Sequence, residues 1–404
     1  MDVLDLPQNV RRIECIEMHT TGEPTRIILK GLPELQGNLL EQRAQAKEEY
    51  DHLRTYLMLE PRGHWDMYGA WLRPETELTS TGEADMGVLF MHNEGFSTMC
   101  GHATIALGRF LVDTHDLKVF PKRDALKVDK KAQTIHLNLH APCCLIRVTV
   151  PVTNDGQRSD PTRPVSFISV ASFATAPHLD IPIPFDKRWP EFKTRTSVKV
   201  AISYGGAFYC LVRATDLGFA NGLGRQPDLH AMETAAYTIQ DIINSTPELR
   251  AKVRHQTESE DLGFLYSVLI TDDVRGSIPA GVEAEGAETG LCYFADHQID
   301  RSPTGSAVAA RLALAYARGE RDVGQRWAFN SLVSDAYEGK GAFVGAIVEE
   351  CKLRDGHGRD VRDAVRVRVE GHAYYTGAHT FVMEEGDVVS EKGFSMKSVA
   401  QDLT

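Results

Sequence analysis

Two short stretches carry residue types and spacings that could do chemistry: MCGHATIALGRFLV at 99–112 and PTGSAVAARLALAY at 303–316. Aligned on Cys100 and Thr304, each runs reactive-type residue, glycine, small polar residue or histidine, alanine, then an apolar helical stretch. Glycine there lets the chain turn sharply and leaves backbone N–H groups uncovered in the first helical turn. Such an N-terminus carries roughly half a positive charge and binds carboxylates directly. Two of them aimed at one point would hold a small carboxylate from both sides. The same location favours a thiolate at Cys100, lowering a group that ordinarily titrates near ~8.5. A thiolate is a competent base as well as a nucleophile. A cysteine so placed is, taken alone, more often a small apolar packing residue. The duplicated pattern, the flanking glycines and the buried-helix placement together favour a site.

The elements that must position these residues are mixed α and β. After Cys100-Gly101-His102 the run ATIALGRFLV is apolar on nearly every face, and AVAARLALAYARGE behaves likewise, with Gly319 placed to end it. A helix apolar all round passes through a core. Periodicity predicts a long amphipathic helix over Leu39–Leu59 and helices at Ala231–Asn244 and Ser306–Arg318. Short strands are predicted at Ile13–Met18 and Arg26–Leu29, around the turn-rich HTTGEP, and in runs such as QTIHLNLH, LIRVTVPV, SVKVAIS, FYCLVRAT, LYSVLITD and GAFVGAIVEE. Many short strands with few helices suggest rolled or barrel-like sheets. Asn154–Arg163 reads as a polar surface loop.

A chain of 404 residues exceeds what one hydrophobic core usually supports, so two domains are expected. Its 42% apolar and 25% charged residues match ordinary soluble globular protein. A formal charge of −12 argues against a nucleic-acid partner. It leaves a small anionic substrate open, because local dipoles can oppose the global charge. No run of about 18 apolar residues appears, so no membrane span is expected. MDVLDLPQNVRR lacks an apolar h-region, so no secretory signal is expected either. Cysteines at 15, 100, 143, 144, 210, 292 and 351 make an odd count that suits free thiols in a reducing, cytoplasmic compartment. There is no C-x-x-C pair, and His136 and His140 alternate along a strand, so no metal site is read. Cys143, Cys144, Cys210, Cys292 and Cys351 read as packing residues.

MCGHATIALGRF and DRSPTGSAVAARLALAYARGE resemble the two active-site signatures of the proline racemase family. MHTTGEPTRI at 18–27, EPRGHWDMYGA at 60–70, GVLFMHNEGFSTMCGH at 87–102 and YGGAFY at 204–209 extend the likeness from about residue 13 into the C-terminal third. The resemblance implies an α/β (α+β) fold of two similar halves, each a barrel-like sheet around a central helix, in the proline racemase and diaminopimelate epimerase-like arrangement. Substrate would lie between the two helix N-termini. The halves are expected at 1–195, carrying Cys100, and 196–374, carrying Asp300 and Thr304, with 375–404 returning to the first. The resemblance also implies a homodimer, a small-molecule imino acid substrate, and no metal or organic cofactor.

Racemases and epimerases of this family set two cysteines on opposite faces of the substrate Cα. Here the second position is Thr304, whose hydroxyl is a far weaker acid than a thiol. Racemisation is therefore expected to fail, while deprotonation from one face survives and becomes useful if Cβ carries a leaving group. The Cys/Thr pattern is similar to that of the trans-3-hydroxy-L-proline dehydratase type, whose products are Δ1-pyrroline-2-carboxylate and water. By the same resemblance Cys100 is the base, and the amides of Gly101, His102, Gly305 and Ser306 hold the substrate carboxylate. Asp300 contacts the ring nitrogen, and with His102 it would hold the substrate's ammonium in place. Thr304 either hydrogen-bonds the departing hydroxyl or fills the space of the missing thiol, and His102 or Thr304 protonates that hydroxyl. Read without the resemblance, Asp300 is an N-terminal cap or a partner of Arg301. The alternatives are a proline racemase or hydroxyproline 2-epimerase, and a non-catalytic amino-acid binder.

Overall fold

A computed structural model of the chain describes residues 10–224, 226–255, 263–354, 357, 359–396 and 398–399. Sixteen of its nineteen described strands form two sets of eight with one and the same series of pairings. In the first half the order across the sheet is 373–383, 11–20, 23–30, 69–73, 86–91, 134–141, 144–151, 165–168. In the second it is 173–182, 197–204, 208–213, 265–272, 286–294, 326–330, 343–354, 360–371. Both series run antiparallel, antiparallel, parallel, antiparallel, parallel, antiparallel, antiparallel. The halves join where Val165–Ile168 pairs with Arg368–Gly371.

Each half sends one apolar helix through its middle. Gly101–Asp113 follows the short hairpin of Met86–Met91 with Phe96–Ser97, and Gly305–Ala317 follows the hairpin of Gly286–Phe294 with Gln298–Ile299. Except for Arg109 and Asp113, every residue of the first helix is buried; the second is buried from Gly305 through Leu314. Ile105, Leu107 and Leu111 are fully enclosed, and each contributes about 1.5–3 kcal/mol by leaving water.

Two expectations change. The boundary at residue 195 falls inside the second half, because Phe173–Pro182 pairs with Ser197–Tyr204; the chain crosses over near residue 170. The returning C-terminal strand begins at Ala373 and pairs along Arg11–Thr20. The single helix expected over Leu39–Leu59 is two, Leu39–Glu49 and Asp51–Met58, broken at Tyr50. The first buries only Leu39, Gln42 and Ala46, whereas the second turns Leu53, Tyr56, Leu57 and Met58 inward. The change of direction also lets Arg54 reach the His92 and Asn93 carbonyls. Among the described residues no helix is long and apolar enough to cross a membrane.

Candidate active site

The two central helices meet head to head. A Cβ on Gly101 would lie 2.5 Å from Gly305 Cα, and one on Gly305 would lie 2.9 Å from Gly101 Cα, so only glycine fits at either position. Thr104 and Val308 are the first N–H groups to bond back to Cys100 and Thr304, by helical i→i−4 bonds. The amides of Gly101, His102, Gly305 and Ser306 therefore lack acceptors within their helices. Thr304 takes a left-handed conformation, φ 58° and ψ 84°, as it enters its helix.

Neighbouring strands and turns hold these ends. Thr20 Oγ1, in the HTTGEP turn, donates to the His102 carbonyl at 3.0 Å. From the other half, the YGG turn passes under both ends. Gly205 abuts the Ser306 carbonyl with no room for a Cβ, and the Gly206 carbonyl accepts from Thr98 Oγ1 at 2.9 Å. Ser306 Oγ is 2.5 Å from Tyr209 OH. Between the halves, Trp65 Nε1 also donates to the Asp296 carbonyl at 2.8 Å, and Arg301 pairs with Asp66 at 2.9 Å.

The two ends differ in chemistry. Cys100 Sγ caps its own helix by accepting from Ala103 N at 3.4 Å, and His102 Nδ1 stands 3.1 Å from the sulfur. Tyr68 also hydrogen-bonds the sulfur, and its ring meets His102 edge-on at 4.7 Å between centroids. Helix polarity alone would lower this thiol. In the fold burial is the larger effect and holds it well above its ordinary value, with the Ala103 N–H pulling the other way and the charge of Asp300 adding to the rise. Burial pushes His102 down to about 3, opposed by a hydrogen bond from the ring to the Pro24 carbonyl. The resting pair is thus a thiol beside a neutral imidazole.

At the other end Thr304 Oγ1 donates to Asp300 Oδ2 at 2.7 Å, and Ser302 N donates to Oδ1 at 2.7 Å. Asp300 does cap its own loop, yet it also lies buried beside Thr304. Burial raises its carboxyl to about 6, with the Ser302 and Thr304 hydrogen bonds opposing. Behind it is Glu23, fully buried, accepting from Arg301 N at 2.8 Å through Oε2 while Oε1 has no partner. Burial first and Asp300 second hold the Glu23 carboxyl well above its usual range. Cys292, read from the sequence as packing, is buried within hydrogen-bonding reach of Thr304, with Ser267 Oγ 2.9 Å from its sulfur.

All seven residues singled out in the sequence, Cys100, Gly101, His102, Asp300, Thr304, Gly305 and Ser306, therefore meet at one place. Glu23, Tyr68, Tyr209 and Cys292 join them without a local signal of their own, although Glu23 lies in the quoted HTTGEP stretch. A separate cavity of about 690 Å³ lies in the second half at the far end of the Thr304 helix, lined by Arg311, Arg318 and Trp327, away from this chemistry.

Two like halves of one large sheet, presenting opposed helix N-termini to a shared buried centre, define the architectural class. A family model described as proline racemase matches residues 15–395, and the chain belongs to that family. It is 39% identical over 404 residues to the trans-L-3-hydroxyproline dehydratase of Mus musculus, covering 98% of each chain. It is also 39% identical to the trans-3-hydroxy-L-proline dehydratase of Homo sapiens, covering 95% of each. Among solved structures, a probable proline racemase from Agrobacterium radiobacter K84 superposes with a TM-score of 0.73 at 21% identity, covering 96% of this chain and 97% of the other.

Proposed function

We propose that this protein is a hydro-lyase that dehydrates trans-3-hydroxy-L-proline to Δ1-pyrroline-2-carboxylate and water. The observation that carries the reading is the asymmetry of the opposed helix ends: a thiol with an imidazole on one side, a threonine hydroxyl held by a carboxylate on the other. The named activity of the relatives with 39% identity over nearly the whole chain supports it.

In this mechanism the free amides of Gly101, His102, Gly305 and Ser306 bind the substrate carboxylate, and Asp300 accepts from the ring ammonium. Both stabilise the negative charge that develops at Cα when its proton leaves, through dipoles already oriented in a site shielded from water. Cys100 removes that proton. The C3–O bond then breaks, and the resulting ring enamine tautomerises to the cyclic imine. Thr304 has no acidity with which to reprotonate Cα from the far face, so elimination replaces inversion. Loss of water is redox-neutral, and these steps call on no cofactor. The protein is read as a cytoplasmic homodimer; light scattering on the purified protein tests the dimer.

Product analysis with each stereoisomer of 3- and 4-hydroxyproline tests the reading, using an amine that traps cyclic imines. Imine from trans-3-hydroxy-L-proline is the expected result. Epimerised hydroxyproline, or D-proline from L-proline, without imine would assign the site to an epimerase or racemase instead.

A further inference from the structure

Two groups, His102 and Thr304, lie where they could protonate the departing hydroxyl. Ring stereochemistry and the placement of His102 together decide between them. At C2 of an L-imino acid the hydrogen and the carboxylate occupy opposite faces of the ring. A 3-hydroxyl trans to the carboxylate therefore lies on the same face as the Cα hydrogen. Thr304 is no base, so that hydrogen must face Cys100, and the hydroxyl must leave on the Cys100 side as well. The hydroxyl at the opposite end is turned away: Thr304 Oγ1 already donates its proton to Asp300 at 2.7 Å.

On the Cys100 face two ionisable neighbours are in reach, Tyr68 and His102. Tyr68 OH lies 2.5 Å from Ser97 Oγ and burial holds it protonated, so it has no place for the thiol proton. His102 has Nδ1 3.1 Å and Nε2 3.6 Å from the sulfur. Its ring donates one N–H to the Pro24 carbonyl. A neutral imidazole has one donor and one acceptor nitrogen, so the nitrogen facing the sulfur is free to accept. Pro24 thereby fixes the tautomer, much as a buried carboxylate fixes that of a catalytic histidine elsewhere. The thiol's high affinity for its proton makes such an acceptor necessary before Cα can be attacked.

Resting on the dehydratase reading, we infer that His102 is a catalytic residue that first takes the Cys100 thiol proton and then delivers it to the 3-hydroxyl, in a syn elimination confined to one face of the ring. The protons balance. Cys100 S–H and neutral His102 become thiolate and imidazolium. The thiolate takes the Cα proton and becomes S–H again. The imidazolium gives its proton to the leaving hydroxyl as the C3–O bond breaks, its electron pair departing with oxygen as water. Enzyme and proton count return to the start, with no reductant, oxidant or external acid.

The experiment compares leaving groups. trans-3-Fluoro-L-proline has the same geometry but loses fluoride, which needs no protonation. In His102→Gln the ratio of fluoride to hydroxide elimination should rise by about 10²-fold or more over wild type, the usual worth of a general acid. The ratio cancels any loss of thiol activation common to both substrates. An unchanged ratio, including equal loss of both activities through misfolding, would overturn the proposal. The unmodified enzyme supplies a second measurement. With cis-3-hydroxy-L-proline in heavy water, Cα faces Cys100 but the hydroxyl faces Thr304, so deuterium should enter Cα while imine forms at least about 10²-fold more slowly than from the trans isomer. Equal imine formation from both isomers would place the acid elsewhere. Failure of the wild type to dehydrate the trans isomer at all would instead remove the dehydratase reading itself.

Discussion

The ends of the Cys100 helix and the Thr304 helix are built alike and charged unlike. Each follows an equivalent hairpin, opens on a glycine that touches its counterpart, and exposes free amides toward one centre. The first end is set with imidazoles that burial keeps neutral, His102 and, also against the Tyr68 ring, His92, both held down near 3. The second is set with buried acids, Asp300 raised to about 6 and, behind it, Glu23 held well above its usual range. The repeated architecture gives two like helix ends, the clamp proposed for a carboxylate, and side-chain chemistry makes its two faces unequal. In the proposed mechanism proton abstraction belongs to one face and cation binding to the other.

The strongest way to break that comparison is at the sulfur. Cys100→Ala should cut dehydration by about 10⁴-fold in steady-state assays, since it removes the base outright. Calorimetric binding of L-proline should survive, because backbone amides hold the carboxylate. Near-normal turnover would move the base elsewhere. Next comes the symmetry of the clamp. In Gly101→Ala the new methyl would meet Gly305 Cα at 2.5 Å, forcing the ends apart. Activity should fall about 10²-fold from misplacement alone, with a stability loss of about 1–3 kcal/mol in denaturant melts. On the opposite face Thr304→Val should cost less than about tenfold, as expected of a residue outside the proton path; a loss as large as that of Cys100→Ala would erase the asymmetry.

The opposite titration of the two ends gives the smallest effect. Asp300 has its carboxyl raised by burial, so its contribution to folding is fully present below about 4, the ordinary carboxyl value, and is lost as pH rises through about 6. Asp300→Asn should therefore stabilise the fold at pH 8 by on the order of 1–2 kcal/mol, after allowing for one weakened hydrogen bond, and the gain should vanish by pH 4.5. Thermal melts across that range would show it. The buried histidines run the other way. Their depressed values mean that the unfolded chain binds more protons, so each should cost the fold up to about 2 kcal/mol between pH 6.5 and 5.

Much of this site could be read in the chain because its parts are local. Cys-Gly-His and Thr-Gly-Ser each sit directly ahead of an apolar run, and helix geometry alone places their amides. Long-range features were illegible. No local pattern says that Phe173–Pro182 crosses to the second half, since that follows from its pairing with Ser197–Tyr204. Nor does any pattern bring Glu23, at the start of the Glu23–Lys30 strand, behind Asp300. Cys292 has the composition of a core strand, and only the return of the hairpin puts it beside Thr304. The direction of the Cys100 shift was lost for the same reason. Helix polarity belongs to the sequence, whereas the depth of burial that outweighs it belongs to the assembled halves.

The most direct measurement follows L-proline, which has a Cα proton and nothing to eliminate, incubated in heavy water with the unmodified protein. One-sided chemistry requires deuterium to enter Cα with configuration retained, read by NMR and chiral chromatography as labelled L-proline alone. Accumulation of D-proline would mean that a proton reaches Cα from the Thr304 side, and the account of an unequal clamp would be wrong.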